Sequence, residues 1–405
     1  MGKTQFGIMS LMGILLLGLG LPMNTSASDE KEVHIAHSHQ KLQTSLQPID
    51  LSIQMKRFTY DAGLNFEYPE AVRGIYVTGP SAGGKRFEKL TGLVENTELN
   101  SMVIDIKDGS GHLMFQPKEG SPFADIGVNY IDDPRKMLEQ LEKKGIYPIA
   151  RIVVFKDADL AEKHPEWSFK ENGKVWTNGK GDAFVSPFQK EVWKHNVEIA
   201  KMAAELGFQE IQFDYVRFPE GFEDYDEVLD YNLGDYTEAE DNVHRRVQAV
   251  TDFVSYAKEE LESYGVKVGV DIFGYAATIP AAPGIGQNFS KISENVDVIS
   301  SMIYPSHWTS YFGIEKPDMH PYKLVSEYAK VENQVLSKLK DPPTSRPWIQ
   351  DFEAPWLYSG ATKQYGKAEV EAQIKALKEH NINEFLLWNA GNEYTNNVDY
   401  TPLDK

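Results

Sequence analysis

The sequence predicts an α/β protein, a (β/α)8 TIM barrel preceded by a signal peptide and a flexible tether. Three observations lead there. From Val72 onward, eight short apolar runs alternate with segments of helical period. The helical segments carry start and stop residues where a helix needs them. Four of the apolar runs end in an isolated aspartate, and in barrels of this kind chemistry sits at the C-terminal ends of the strands.

The strand candidates are residues 73–78, 101–106, 147–155, 210–217, 267–273, 298–304, 346–352 and 384–389. Between them lie helix candidates at 85–96, 133–144, 187–206, 238–264, 289–295, 322–340 and 367–380. Asp133-Pro134 opens the second helix: aspartate accepts from the first free amides, and proline already has a helical φ. Gly145 and Gly207 close the second and third, where the chain turns through a positive φ. No internal repeat suggests a solenoid. The insertion at residues 156–186, after the third strand, is longer than an ordinary connection and rich in Trp, Asn and Gly, as functional loops often are.

Composition narrows the function. The 405 residues suffice for a large core, and 60 acidic against 41 basic residues give a formal charge of -19. That balance disfavours nucleic acid and anionic membrane surfaces as partners. Zero cysteines exclude disulfides, thiolate metal sites, a cysteine nucleophile and a lipoprotein anchor. Residues 1–27 read as a secretory signal peptide, with Lys3, an apolar run at 6–21, and Thr25 and Ala27 at cleavage-site spacing. The protein is therefore expected to be secreted or cell-surface associated, and membrane-bound only if that segment stays uncleaved. Residues 28–70 are polar and aperiodic and read as the tether, with His34, His37 and His39 as solvated side chains rather than metal ligands; 71–405 form the barrel domain.

The candidate site lies at the strand ends. Strand two ends with Asp105 and Lys107, strand four with Asp214-Tyr215-Val216-Arg217-Phe218-Pro219, strand five with Asp271 and strand seven with Asp351. A carboxylate on a buried strand is costly unless paired or neutralised. Asp105 and Lys107, two residues apart, either form an internal ion pair or contact substrate. Asp271 and Asp351 either serve chemistry or hold a loop or a neighbouring arginine. Arg217 close to Asp214 would keep that carboxylate ionised, as a nucleophile or charge stabiliser requires. Paired carboxylates are the chemical minimum for glycoside hydrolysis. Tyr304, His307, Trp308, Trp356 and Trp388 fall at or just beyond strand ends, where aromatic faces can stack on sugar rings.

Five segments carry a resemblance: 73–78, 100–108, the Phe213-Asp214-Tyr215-Val216-Arg217-Phe218-Pro219 run, 269–274 and 302–308. Together they resemble the bacterial "putative glycosyl hydrolase domain" family, over about residues 72 to 395, and that family is distantly similar to the alpha-amylase barrels. The resemblance implies a nucleophile at Asp214, an acid/base at Asp271 and a stabiliser at Asp351. Two positions differ from the amylase pattern: Asp271 stands where a glutamate is usual, and Arg217 follows the strand-four aspartate instead of preceding it. Substrate contacts are expected from Tyr76, Asp105, Lys107, Arg217, Tyr304, His307, Trp308 and Trp388. The expected function is a secreted retaining glycoside hydrolase acting on a polysaccharide or oligosaccharide, with no metal and no cofactor. In a retaining enzyme the two carboxyls lie about 5–5.5 Å apart. A non-catalytic carbohydrate-binding barrel and a metal-dependent hydrolase are the other two classes considered.

Overall fold

The computed structural model describes residues 59–360 and 362–402. The expected signal peptide and the tether up to residue 58, with its three histidines, lie outside the described residues.

Eight parallel strands close into a barrel: β1 (Arg73–Val77), β2 (Ser101–Lys107), β3 (Tyr147–Val153), β4 (Glu210–Asp214), β5 (Lys267–Phe273), β6 (Val298–Met302), β7 (Trp348–Gln350) and β8 (Phe385–Trp388). Each pairs with its neighbour in chain order, β8 pairs back to β1, and the β6–β7 seam is joined where Trp348 pairs with Met302. Helices α1 (Arg86–Glu95), α2 (Pro134–Lys143), α3 (Lys190–Leu206), α4 (Asn242–Leu261), α5 (Phe289–Ser293), α6 (Pro321–Leu336) and α7 (Lys367–Lys378) occupy the seven intervals between strands. All eight expected strands and all seven expected helices are present.

Local chemistry sets these boundaries. Asp133 caps α2 by accepting from the Lys136 amide, and Pro134 fills its first turn. Met137, Leu138 and Leu141 form the buried face of α2. Gly207, at φ 117°, ends α3 in a left-handed conformation that a side chain would disfavour. The fourth helix begins at Asn242 rather than at 238, because Asp241 accepts from the His244 amide and caps it there.

Alternation along the strands creates two cores. Ile104, Ala150, Ile152, Ile211, Phe213 and Val270 face the helices and belong to the large outer core. Val72, Tyr76, Val103, Tyr147, Ile149, Tyr304, Trp348 and Leu386 form a separate core inside the barrel. Because the side-chain period is two, Asp105, Arg151, Asp214 and Asp271 continue the inner faces of their strands.

The tether expectation needs a correction at its C-terminal end. Residues 59–70 have little regular structure but are docked: Arg135 donates to the carbonyls of Ala62 (2.6 Å) and Gly63 (3.3 Å), and Leu64 and Phe66 pack on the core. The apolar residues that do this are spaced too irregularly to register as an element. Among the described residues no helix is long and apolar enough to cross a membrane.

Candidate active site

At the C-terminal end of the barrel a cleft of about 780 Å³ opens above the strand ends. Its floor is organised by Arg151 on β3. The Arg151 Nη1 donates to Asp105 Oδ1 (2.6 Å), and Nε (3.1 Å) and Nη2 both donate to Asp214 Oδ2. The same Nε lies 4.0 Å from Asp271 Oδ2. Three carboxyl groups from β2, β4 and β5 therefore surround one guanidinium. Burial opposes the charge on Arg151, but Asp214 and Asp105 outweigh it and its pKa rises.

The acids are held differently. Asp214 accepts from Arg151 and, through Oδ1, from the Tyr215 amide at 2.5 Å. Three N–H donors converge on it, a set that a carboxylate satisfies. Tyr215 reaches that position with φ at 52°, a left-handed conformation costing about 1–3 kcal/mol for a residue with a side chain. Asp271 accepts from the Trp348 indole (2.7 Å) and is buried at the base of the cleft, which it lines. Burial, and then the charge of Asp214, push its pKa well above the ordinary carboxyl range. Two acids on adjacent strands are thus held by different donors, Asp214 by Arg151 and the Tyr215 amide and Asp271 by the Trp348 indole.

The walls are aromatic and carry charges of both signs, Glu220 and Glu223 among them. Tyr304, Trp308, Trp348, Trp388, Tyr215 and Phe273 line the cleft together with Lys180, Arg217 and His307. Gly274, next to Phe273, has no room for a side chain: a Cβ would stand 2.8 Å from the Met302 carbonyl and 3.0 Å from the Trp308 ring. Burial lowers the pKa of His307 and favours its neutral form.

Across residues 74–394 the sequence matches the family described as "Putative glycosyl hydrolase domain". The chain belongs to that family. A hypothetical protein from Ruminiclostridium thermocellum is 31% identical, over 49% of this chain and 96% of its own, with a TM-score of 0.42. The PgaB (BpsB) glycoside hydrolase domain from Bordetella bronchiseptica is 13% identical, over 79% of this chain and 94% of that domain, with a TM-score of 0.55. A beta-galactosidase from the psychrophilic Marinomonas ef1 is 14% identical; the match spans 78% of this chain and 54% of that one, with a TM-score of 0.53. The latter two share the barrel fold. No curated protein matches the chain.

Of the residues expected from the sequence, this glycosyl hydrolase domain brings Asp214, Asp271, Arg217, Tyr304, His307, Trp308 and Trp388 to the cleft. Four others are elsewhere. Tyr76 stacks under Trp388 (4.1 Å between centroids) and donates to Asp105 Oδ2 at 2.5 Å, so both it and Asp105 form a layer beneath the floor that holds Arg151. Lys107 is not the partner of Asp105. The β2–β3 pairing shifts register between Asp105 and Lys107, which breaks the period-two relation, and Lys107 turns to Asp157 (2.6 Å) and the Val153 carbonyl (2.7 Å). Asp351 is occupied by Thr395, whose hydroxyl (2.5 Å) and amide (3.0 Å) donate to its two oxygens, and it does not line the cleft. Its carboxyl anchors the segment after β8 instead.

The charge partner of Asp214 is also not the one expected. Arg217 forms no ion pair with it and pairs with Glu220, and Arg151 takes the role. Arg151 had a readable signal: it is the lone charge in a buried run, Tyr147 to Val153, two positions from the inward-facing Ile149. Trp348, which holds Asp271, had none beyond being aromatic on a strand. Among the described residues no group of three or more His, Asp or Glu is arranged to hold a metal ion.

Proposed function

We propose that this glycoside hydrolase cleaves a polysaccharide outside the cell by a retaining mechanism, with Asp214 as nucleophile and Asp271 as acid/base. One observation carries the reading: adjacent strands present two carboxyls within 4.0 Å of one Arg151 nitrogen, one held by three N–H donors and the other buried with a raised pKa. That is the division of labour a retaining pair needs.

In the first step an Asp214 oxygen bonds to the anomeric carbon as the glycosidic C–O bond breaks. The Asp271 proton passes to the leaving oxygen, so the first product departs neutral. Water then attacks the anomeric carbon, its proton goes to Asp271, and the ester bond to Asp214 breaks. Arg151 stabilises the carboxylate that leaves in this second step. Tyr304, Trp308 and Trp388 offer faces for sugar rings, which favours a chain over a small glycoside. Export rests on the apolar run at residues 6–21 and the small residues after it.

Azide separates the two carboxyl roles. With an activated aryl glycoside, Asp271→Ala should lose turnover and regain it with azide, giving a glycosyl azide of the substrate's own anomeric configuration. Asp214→Ala should give the opposite anomer. Two variants that yield the same anomer, or neither of which responds while both keep near wild-type turnover, would remove this assignment.

A further inference from the structure

We propose that Arg217 and Lys180 form a subsite for a sugar bearing a carboxylate, next to the catalytic pair; this rests on the hydrolase reading and names its substrate class. Arg217 follows Asp214 by three residues, and its side chain is only 6% exposed. The guanidinium sits between the rings of Tyr215 (4.6 Å) and Phe273 (4.9 Å), with Phe184 at 5.8 Å. Phe273 in turn follows Asp271 by two residues, so the clamp is built on the same two strand ends as the catalytic acids.

A guanidinium held this way is oriented before substrate arrives. Its five N–H donors form a planar fork that matches a carboxylate. Nη1 donates to the Phe218 carbonyl (3.1 Å) and Nη2 to Glu220 Oε1 (3.2 Å). Glu220 is the only acidic partner of Arg217 among the described residues, and its side chain is 63% exposed. Only the Glu220 end of this pair is in solvent, so the glutamate can swing away while the buried guanidinium stays in place. Glu220 thus holds the place of a substrate carboxylate and yields it on binding.

Lys180 supplies a second charge. It reaches the cleft from the 156–186 insertion and has no ion pair among the described residues. Arg217 and Lys180 converge on one cleft, which Glu220 and Glu223 also line. Arg151, on the floor of the cleft, is already committed to Asp105 and Asp214 and cannot serve an incoming anion.

The test uses the mature protein with polygalacturonate, alginate and a glucuronyl-substituted xylan, each beside its carboxyl-reduced counterpart. Reducing-end release gives turnover, and binding is measured with Asp214→Asn. At least one acidic chain should be cleaved at least tenfold more efficiently than its reduced form, with KM rising as salt is added. Arg217→Met and Lys180→Met should each raise KM on that chain about tenfold with little change in kcat, while Glu220→Gln lowers KM severalfold. Preference for the reduced chains, or loss at Arg217→Met that is equal on both forms, overturns the subsite and leaves the hydrolase reading standing. Loss of all turnover in Glu220→Gln also overturns it, by making Glu220 catalytic. Binding of an acidic chain that depends on Arg217, without cleavage by the wild type, supports the subsite and refutes the hydrolase reading alone.

Discussion

Two buried arginines sit at opposite ends of the barrel, and they do different things. Near the N-terminal ends of the strands, Arg346 donates to Glu210 (2.6 Å), Glu384 (2.7 Å) and the Tyr68 hydroxyl (2.9 Å), with no exposure of its own. Lys267 lies over the Tyr68 ring at 4.8 Å, so two cations face two acids; Arg346, Glu210 and Glu384 are buried while Tyr68 reaches the surface. At the other end, Arg151 alone faces Asp105, Asp214 and Asp271 beside an open cleft. A charge-balanced cluster ties β4, β7, β8 and the preceding segment together. An acid-rich cluster reached by solvent leaves one carboxyl without its own cation, and that is the condition under which a carboxyl keeps a proton to donate.

The contrast is broken most sharply by comparing Arg346→Met with Asp214→Asn. Removing Arg346 leaves Glu210 without its buried cation and Glu384 with only the Tyr68 hydroxyl, and should cost about 3–5 kcal/mol in chemical denaturation. Activity per folded molecule should survive. Asp214→Asn leaves Arg151 paired with Asp105 and should cost less, about 1.5–3 kcal/mol for a lost charge-assisted hydrogen bond, while turnover falls by several orders of magnitude. If Asp214→Asn is the less stable of the two, the upper cluster is structural as well.

A smaller effect concerns pH. The raised pKa of Asp271 means that the folded state holds a proton the unfolded chain releases above about 3.8. Stability should therefore decline as pH rises from that value through the folded pKa, because deprotonation places a charge in a buried site. Asp271→Asn should flatten that decline. Wild-type turnover should fall on the alkaline side as the donor proton is lost. An alkaline limb that is unchanged in Glu210→Gln but absent in a substrate whose leaving group needs no proton would sharpen the distinction between the two ends.

The smallest effect is expected at Asp351. Its two oxygens hold Thr395, so Asp351→Asn should lower stability by about 1 kcal/mol and leave turnover within twofold of wild type. A loss of turnover comparable to that of Asp214→Asn would return Asp351 to the chemistry.

Asp214, Asp271 and Arg151 show where sequence reading succeeds and where it stops. Each is a charge flanked by apolar residues on a buried strand, and the cost of burying a charge makes such a residue visible without any neighbour. Which charges meet is a different question. Arg217 is near Asp214 in the chain, yet Arg151, far from it in sequence, is its partner across β3 and β4. Lys107 has the spacing to pair with Asp105, but one register shift turns it to Asp157. Asp351 ends its strand as the other acids do, and a threonine more than forty residues on captures it.

The sequence by itself determined the strand and helix order, the barrel class, the acidic strand ends and the aromatic surroundings, because periodicity, capping and burial cost act over a few residues. Only the tertiary structure decided that Arg151 is the hub, that Asp105 and Tyr76 lie beneath the floor, and that Lys107 and Asp351 serve other contacts. Those outcomes depend on register between strands, and a shift of one residue exchanges the two faces of a strand.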